Sequence, residues 1–293
     1  MLLVVLFWGG NFSFSKLAFV DIPPLAFTAV RFVVGSAILW WLLARLEPEG
    51  TTPRELWGQL ILLGIVGNTL YQLCFILGLA RTSATNASLI LSAMPTVLTV
   101  TAGVIGLESV SGRQRWALAL ATLGVLLVVA ARGISPNAGD WTGDLLILGG
   151  VACWTGYSLG IRKLGGRLSA LRITAVTMIT GTPGLILAGV PSLVGMRWSG
   201  VRATAWSGLA YSTLLSLVAS YILWSRAVQR LGPSRAALFT CITPLVATLV
   251  AMALLGERPT VAHLLGGGLI VGGVVLGTFG TQARVPGGGA CSS

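Results

Sequence analysis

The sequence predicts an all-α integral membrane protein with ten transmembrane helices, arranged as two inverted five-helix repeats with both termini in the cytoplasm. Three observations support this fold class: the composition, the placement of basic residues and an internal repeat. Of the 293 residues, 55% are hydrophobic and only 9% are charged, whereas a soluble domain carries about 25% charged residues. This composition excludes a disordered chain, a coiled coil and a disulfide-rich secreted scaffold.

Apolar segments long enough to cross a bilayer follow one another along the whole chain. A transmembrane helix needs about 20 mostly apolar residues, and the breaks between such segments fall at Pro, Gly and charge clusters, for example at 47–50 and 133–140. The 39 glycines would let such helices approach closely in a membrane. The predicted spans are 2–20, 23–45, 56–79, 84–107, 113–131, 143–163, 169–190, 203–230, 234–255 and 260–280.

The basic residues predict the orientation, because cytoplasmic loops carry the excess of Lys and Arg. With the N-terminus inside, 12 basic residues lie on the cytoplasmic side and 6 outside, while Arg31 lies within the second span. The net charge of +11 is therefore read as membrane anchoring, and no nucleic-acid partner is expected. The cytoplasmic set is Arg45, Arg54, Arg113, Arg115, Arg162, Lys163, Arg167, Arg172, Arg226, Arg230, Arg235 and Arg284, and the outer set is Lys16, Arg81, Arg132, Arg197, Arg202 and Arg258.

The two halves of the chain resemble each other. A shift of 149 residues places Pro95 on Pro244 and Glu108 on Glu257, and a shift of 146 places Trp8 on Trp154 near the start of each half. Because each half holds five spans, an odd number, the second half enters the membrane from the opposite side. We expect a first repeat at 1–132, a linker at 133–142, an inverted second repeat at 143–281 and a disordered tail at 282–293.

Inverted repeats indicate a mechanism, because two similar halves of opposite orientation can exchange conformations around one central site. This is the architecture of secondary transporters that work by alternating access.

Several motifs occur once in each half of the chain, and together they resemble a known family. An early Trp is followed by small residues at 7–11 and at 153–157, a proline stands within the spans at 95 and 244, and each of those spans ends at a Glu. This doubled pattern resembles the ten-helix drug/metabolite transporter superfamily, specifically its EamA-type exporters, over residues 2–280. Within that group the chain is similar to the aromatic amino-acid exporters. The resemblance implies a multi-pass protein of the bacterial inner membrane that exports amino acids or related metabolites.

The resemblance also implies a central site lined by the first, third and fourth spans of each half. The aromatic and polar residues on those spans suit a flat, mostly apolar ligand that carries a few hydrogen-bonding groups. Packing of the same aromatics against neighbouring helices is the alternative for each of them. The candidates are Trp8, Asn11, Phe12, Ser15, Asn68, Tyr71, Gln72, Phe75, Asn86, Ser92, Thr99, Trp154, Tyr157, Ser158, Ser220, Tyr221, Trp224, Phe239 and Thr240.

Five further residues are candidates for other roles. Arg31 lies well inside the second span, where it could attract a substrate carboxylate or instead snorkel or pair with carbonyl groups. Pro95 and Pro244 each remove a backbone N–H, so we expect them to act as hinges or gates beside the site. Glu108 and Glu257, at helix ends, are expected to cap helices or form ion pairs.

The remaining chemistry argues against other classes. No Asp or Glu lies in the middle of a span, so we expect facilitated transport without a dedicated proton relay. The GxSxG match at 156–160 lies in mid-helix rather than in a strand–turn–helix, so an intramembrane enzyme is the weaker alternative; a broad drug/metabolite exporter or another small-solute permease is the closer one. No metal-ligand spacing is present, no cofactor is expected, and a monomer is favoured over a dimer.

Overall fold

The computed structural model describes residues 1–79, 81, 90–91, 93–130, 141–243, 245–247, 249–250 and 261–278, and within these ranges the regular secondary structure is entirely helical. Six of the described helices are long and apolar enough to cross a membrane, and Met94–Val104 and Leu265–Gly277 are shorter apolar helices. These findings confirm the predicted all-α membrane fold class. The predicted tail at 282–293 and most of the predicted linker lie outside the described residues.

Helices occupy parts of all ten predicted spans. The third and eighth spans are each continuous helices divided by a π-helical segment, so each contributes two α-helices. Short 3₁₀ turns at Arg54–Leu56 and Trp198–Gly200 precede them. The helices are α1 (Leu2–Phe19), α2 (Pro24–Leu46), α3 (Trp57–Gly64), α4 (Tyr71–Leu79), α5 (Met94–Val104), α6 (Gly112–Ala130), α7 (Trp141–Leu164), α8 (Ala170–Val194), α9 (Ala203–Tyr211), α10 (Ser220–Leu231), α11 (Pro233–Thr240) and α12 (Val261–Thr278).

The two π-helical segments occupy equivalent places in the two halves. The first, Ile65–Leu70, joins α3 to α4, and the second, Ser212–Ala219, joins α9 to α10. Adding the repeat offset of 149 to 65–70 gives 214–219, which falls within the second segment. Segments of this kind are uncommon and are frequent at functional sites. The sequence did not predict them.

A helix break precedes the proline in the fourth and ninth spans. In the fourth, the Ala93 N–H donates to the Ile90 carbonyl at 3.1 Å, and α5 then begins with Pro95 in its first turn. In the ninth, the Ile242 N–H donates to the Phe239 carbonyl at 3.1 Å. These i→i−3 bonds are 149 residues apart, so both halves interrupt the helix at the same point. Pro244 itself lies outside the described residues.

The contact between α2 and α8 shows how the halves are related. Ser36 Oγ and Thr182 Oγ1 are 2.8 Å apart and 146 residues apart in sequence, so two equivalent positions meet each other. Gly189, which is equivalent to Leu43, packs instead against Ala29, at the other end of α2. Equivalent helices therefore run antiparallel and cross at Ser36 and Thr182.

The pair α6 and α12 repeats this geometry. A Cβ on Gly124 would meet Gly266 and Ile270, while a Cβ on Gly273 would meet Ala117 and Ala121, and each set is the other shifted by 149 residues. Such reciprocal contacts require a twofold relation perpendicular to the helices. The two halves are thus inverted repeats, as the sequence predicted.

Polar contacts join the halves at the helix ends. Arg202 Nε donates to Asp21 at 3.0–3.1 Å, and Arg172 Nε lies 3.3 Å from Glu47 Oε2. The Glu108 carboxylate accepts from the Ser234 N–H at 3.0 Å, which confirms its predicted capping role. Glu257 lies outside the described residues.

Candidate functional site

Aromatic side chains from four helices meet at the centre of the molecule. Trp154 of α7 is the hub, with ring centroids 5.0 Å from Tyr71, 5.4 Å from Tyr221 and 5.7 Å from Trp224. Trp8 of α1 lies 5.6 Å from Trp154. Together with Tyr157, which lies 5.5 Å from Trp154, these rings form what we call the aromatic cluster: Trp8, Tyr71, Trp154, Tyr157, Tyr221 and Trp224.

The aromatic cluster is closed in this conformation. Trp154, Tyr157, Tyr221 and Trp224 are each at most 3% exposed, and rings separated by 5–6 Å are in direct contact. A flat ligand can enter between them only if some of the rings move apart.

The aromatic cluster lies on the twofold relation between the repeats. Trp8 and Trp154, whose rings touch, are separated by the 146-residue offset. Gln72 Nε2 donates to the Tyr221 hydroxyl at 3.5 Å across 149 residues, which is the other offset. Equivalent positions can meet in this way only at the axis, so the centre is built jointly by the two halves.

Within the described part of the chain, several buried polar atoms on the helices that carry these rings have no hydrogen-bond partner. Two are donors on the aromatic cluster itself, Trp154 Nε1 and Trp224 Nε1, and two are acceptors, Asn11 Oδ1 and Asn68 Oδ1. The hydroxyls of Thr155 and Ser158 on α7 are in the same state. Because such groups cost free energy when left unpaired, the centre is suited to a ligand or waters that supply both acceptors and donors.

Arg31 is a buried cation in the same region. Its side chain is 8% exposed, its Nη1 donates to Ser212 Oγ at 2.9 Å, and its guanidinium lies 5.6–5.8 Å from the rings of Phe27 and Phe32. Its Nε has no partner among the described residues. Ser212 begins the second π segment, whose Ser216 carbonyl accepts from Trp8 of the aromatic cluster. A guanidinium with a free donor beside the aromatic cluster is an arrangement that can attract an anion.

The other predicted site residues divide into three groups. Phe75 stacks on Tyr71 with centroids 6.4 Å apart, while Ser15 and Ser220 are buried on α1 and α10. Thr99 lies elsewhere, beside a cavity of about 10 Å³ shared with α6 and α11, and Phe239 packs against the α6–α12 core. Thr240 bonds within its own helix. Asn86 and Ser92, and the side chain of Phe12, lie outside what the structure describes.

The sequence did not predict the polar partners that span seven contributes to the centre, whereas span two had supplied the candidate Arg31. The Thr177 carbonyl accepts from Asn68 Nδ2 at 3.0 Å, and the Thr177 hydroxyl lies 3.3 Å from the Tyr157 hydroxyl. The Ser216 carbonyl, in the second π segment, accepts from Trp8 Nε1 at 3.1 Å. The one available signal was the repeat offset itself, which pairs Ser36 with Thr182 on those two spans.

A closed aromatic centre on the axis between inverted helical repeats defines the class of protein: a multi-pass membrane transporter for small molecules. The model of the EamA-like transporter family matches residues 1–130 and again 141–279. The chain therefore belongs to the EamA-like transporter family, a part of the drug/metabolite transporter superfamily. This membership confirms the expectation that the protein is not an enzyme.

The chain is similar to named transporters over most of its own length and of theirs. The uncharacterized transporter YyaM of Bacillus subtilis is 26% identical over 96% of this chain and 92% of its own. A probable terminal-alkyne amino-acid exporter of Streptantibioticus cattleyicolor is 26% identical over 94% and 91%. An S-adenosylmethionine/S-adenosylhomocysteine transporter of Chlamydia trachomatis is 25% identical over 85% and 79%.

A solved crystal structure shares the fold. Its TM-score is 0.79 at 17% sequence identity, over 94% of both chains.

Proposed function

We propose that this transporter exports amino acids, aromatic ones above all, across the bacterial inner membrane by alternating access. The repeats at 1–132 and 143–281 are the moving units, and both termini face the cytoplasm. The aromatic cluster is the substrate site, and Pro95 and Pro244 are the hinges beside it. The likeness to an amino-acid exporter in Streptantibioticus supports the substrate class.

One observation carries this proposal: unpaired donors and unpaired acceptors occur together on the described helices that carry the closely packed rings. The indole N–H groups of Trp154 and Trp224 suit a carboxylate, and the side-chain oxygens of Asn11 and Asn68 suit an ammonium group. The rings suit a flat side chain placed between them. An aromatic amino acid carries all three features, and Arg31 adds a positive field that draws its carboxylate inward.

The substrate is tested by counterflow in proteoliposomes across a panel of amino acids and small polar solutes. We expect Trp, Phe and Tyr to exchange fastest. In Trp154→Phe the ring remains but the N–H is lost, so the apparent KM for aromatic amino acids rises by roughly tenfold, which corresponds to about 1.4 kcal/mol.

Trp116→Phe is the matched control, since Trp116 is 74% exposed and lies on α6, which contributes no ring to the aromatic cluster. Faster exchange of small polar solutes than of aromatic amino acids would refute the aromatic assignment. It would favour a broader drug/metabolite exporter instead.

Coupling is tested in the same vesicles. All eight acidic residues lie at or beyond the ends of the predicted spans, so we propose facilitated transport that follows the substrate gradient. Exchange should therefore proceed at the same initial rate with and without an imposed pH gradient. A strict requirement for that gradient would overturn this part of the proposal.

A further inference from the structure

Two cysteines lie at the boundary between the repeats. Cys74 lies on α4 in the first repeat and Cys153 on α7 in the second, and Cys74 packs against the turn of α7 that precedes Cys153. The Cys74 sulfur lies 3.7 Å from the place of a Cβ on Gly149, which is one helical turn before Cys153. Both thiols are partly exposed, whereas Cys241 is buried in the separate α6–α12 core.

Glycines explain why these short side chains can meet. A Cβ on Gly78 would lie 2.8 Å from Ile147, one on Gly150 would lie 3.7 Å from the Cys74 Cβ, and one on Gly67 would collide with Tyr157. The contacts run in opposite directions along the two helices, so α4 and α7 are antiparallel and pack closely. Close packing of this kind is what a disulfide between two helices requires.

We propose that Cys74 and Cys153 are an oxidation site, closed to a disulfide by a two-electron thiol oxidant, and that this disulfide locks the transporter. With a diazene such as diamide, one thiol loses its proton and its sulfur adds to a nitrogen of the N=N bond. The second thiolate then attacks that sulfur and displaces the hydrazine. The two thiols lose two protons and two electrons in all, and the diazene gains both.

The lock follows from where the pair lies. Tyr71, one turn before Cys74, and Trp154, next to Cys153, hold their rings 5.0 Å apart, and both rings belong to the aromatic cluster, whose rings must move apart before a ligand can enter. A disulfide beside it fixes α4 against α7. The symmetry-equivalent positions at the other interface between the repeats are Leu223 and Phe7, which cannot form a disulfide. The lock therefore holds one of the two equivalent interfaces that must exchange. This consequence rests on the proposed transport function, while the disulfide itself does not.

The disulfide is tested in a Cys241→Ser, Cys291→Ser background with a protease site inserted within 131–140. After diamide treatment and cleavage, the two halves should migrate together on a non-reducing gel and separate after dithiothreitol. Cys153→Ser is the matched control and should give separate halves throughout. Separate halves in the Cys74/Cys153 protein after diamide would overturn the oxidation site.

The lock is tested in proteoliposomes of the same protein. Diamide should lower counterflow at least tenfold in the Cys74/Cys153 protein, dithiothreitol should restore it, and Cys153→Ser should keep its rate under both treatments. A cross-linked protein that transports at its full rate would refute the lock and leave the disulfide standing. Failure of the reduced protein to transport any amino acid would instead count against the proposed function.

Discussion

The contact between Asp21 and Arg202 ties the α1–α2 turn to the start of α9. Arg202 donates through its side chain and its backbone N–H to the Asp21 carboxylate, and these hydrogen bonds from Arg202 hold the pKa of Asp21 below its ordinary value. A lowered folded-state pKa means that the carboxylate stabilises the fold above its unfolded-state pKa. That contribution is lost as the pH falls through the lowered folded-state value.

We therefore expect the difference in melting temperature between the wild type and Asp21→Asn to depend on pH. The wild type should be the more stable protein at pH 6–7, and its advantage should shrink below about pH 4, where an ordinary Asp takes up its proton. Thermal unfolding in detergent across this range measures the difference. Glu49→Gln, for which no such contact is found among the described residues, is the control. A difference that stays constant down to about pH 2 would contradict the assignment.

Single residues of the centre were predictable to the extent that the repeat marked them. Trp8 and Trp154 match under the 146-residue offset, and their rings meet in the structure. The polar partners Thr177, Ser212 and Ser216 were not predictable, because threonine and serine recur along apolar helices and only tertiary packing decides which of them turns inward. Thr99 shows the converse, since a polar residue on a site-lining span packs at another boundary.

At the scale of helices, two glycines of α12 differ in their surroundings: one is needed for close packing and the other is not. A Cβ on Gly273 would lie 2.7 Å from the Ala117 carbonyl oxygen and from the Ala121 nitrogen, whereas one on Gly268 would meet nothing within 4 Å. Backbone atoms cannot move aside as a flexible side chain can. Gly273 therefore allows α12 to pack closely against α6.

Alanine substitution at these two glycines should give opposite results. Gly273→Ala should destabilise the protein by about 1–3 kcal/mol through overpacking, while Gly268→Ala should be neutral or stabilise α12 by up to about 1 kcal/mol through helix propensity. Melting temperatures in detergent compare the two directly. Equal losses at both positions would show that α12 packs differently against α6.

The paired helix breaks predict a second effect at this scale. Pro95 stands in the first turn of α5, where proline costs little, so Pro95→Ala should change stability by less than about 1 kcal/mol. It restores an N–H that can extend the helix backward through the break at Ala93. If the break is a hinge, the initial rate of counterflow falls by roughly tenfold, about 1.4 kcal/mol in the barrier.

Pro244→Ala, the equivalent substitution, should slow exchange to a similar extent, and the two changes together should slow it further. Pro191→Ala, within α8, is the control for loss of a proline elsewhere. An unchanged rate in both Pro95→Ala and Pro244→Ala would rule out the hinges.

Hydropathy predicted where the transmembrane helices lie, but it did not predict their two π-helical segments. The ten apolar spans and the prolines could be read from the chain. By contrast, nothing in the residues 65–70 or 212–219 distinguishes a π segment from an α-helix. The extra residue per turn depends on what packs against it, such as Tyr157 against Gly67, and so belongs to the tertiary structure.

For the whole molecule, the twofold relation supplies the symmetry that the proposed alternating access needs. Ser36 meets Thr182, Trp8 meets Trp154 and Gln72 meets Tyr221. The axis therefore passes between α2 and α8 and through the aromatic cluster. Two equal halves joined at an axis have two equivalent asymmetric arrangements. Exchange between them would open the centre first to one side and then to the other.

The same relation makes the membrane orientation testable at loops that should face opposite sides. Ser109 follows the fourth span and Ser199 follows the seventh, and both are exposed. With 12 basic residues on the side of Ser109 and 6 on the side of Ser199, the positive-inside rule places Ser109 in the cytoplasm. In a background without native cysteines, Ser199→Cys should react with a membrane-impermeant maleimide in intact cells, whereas Ser109→Cys should react only after permeabilisation. The reverse labelling pattern would invert the orientation while leaving the repeats intact, and labelling of both sites in intact cells would be incompatible with an odd number of spans between them.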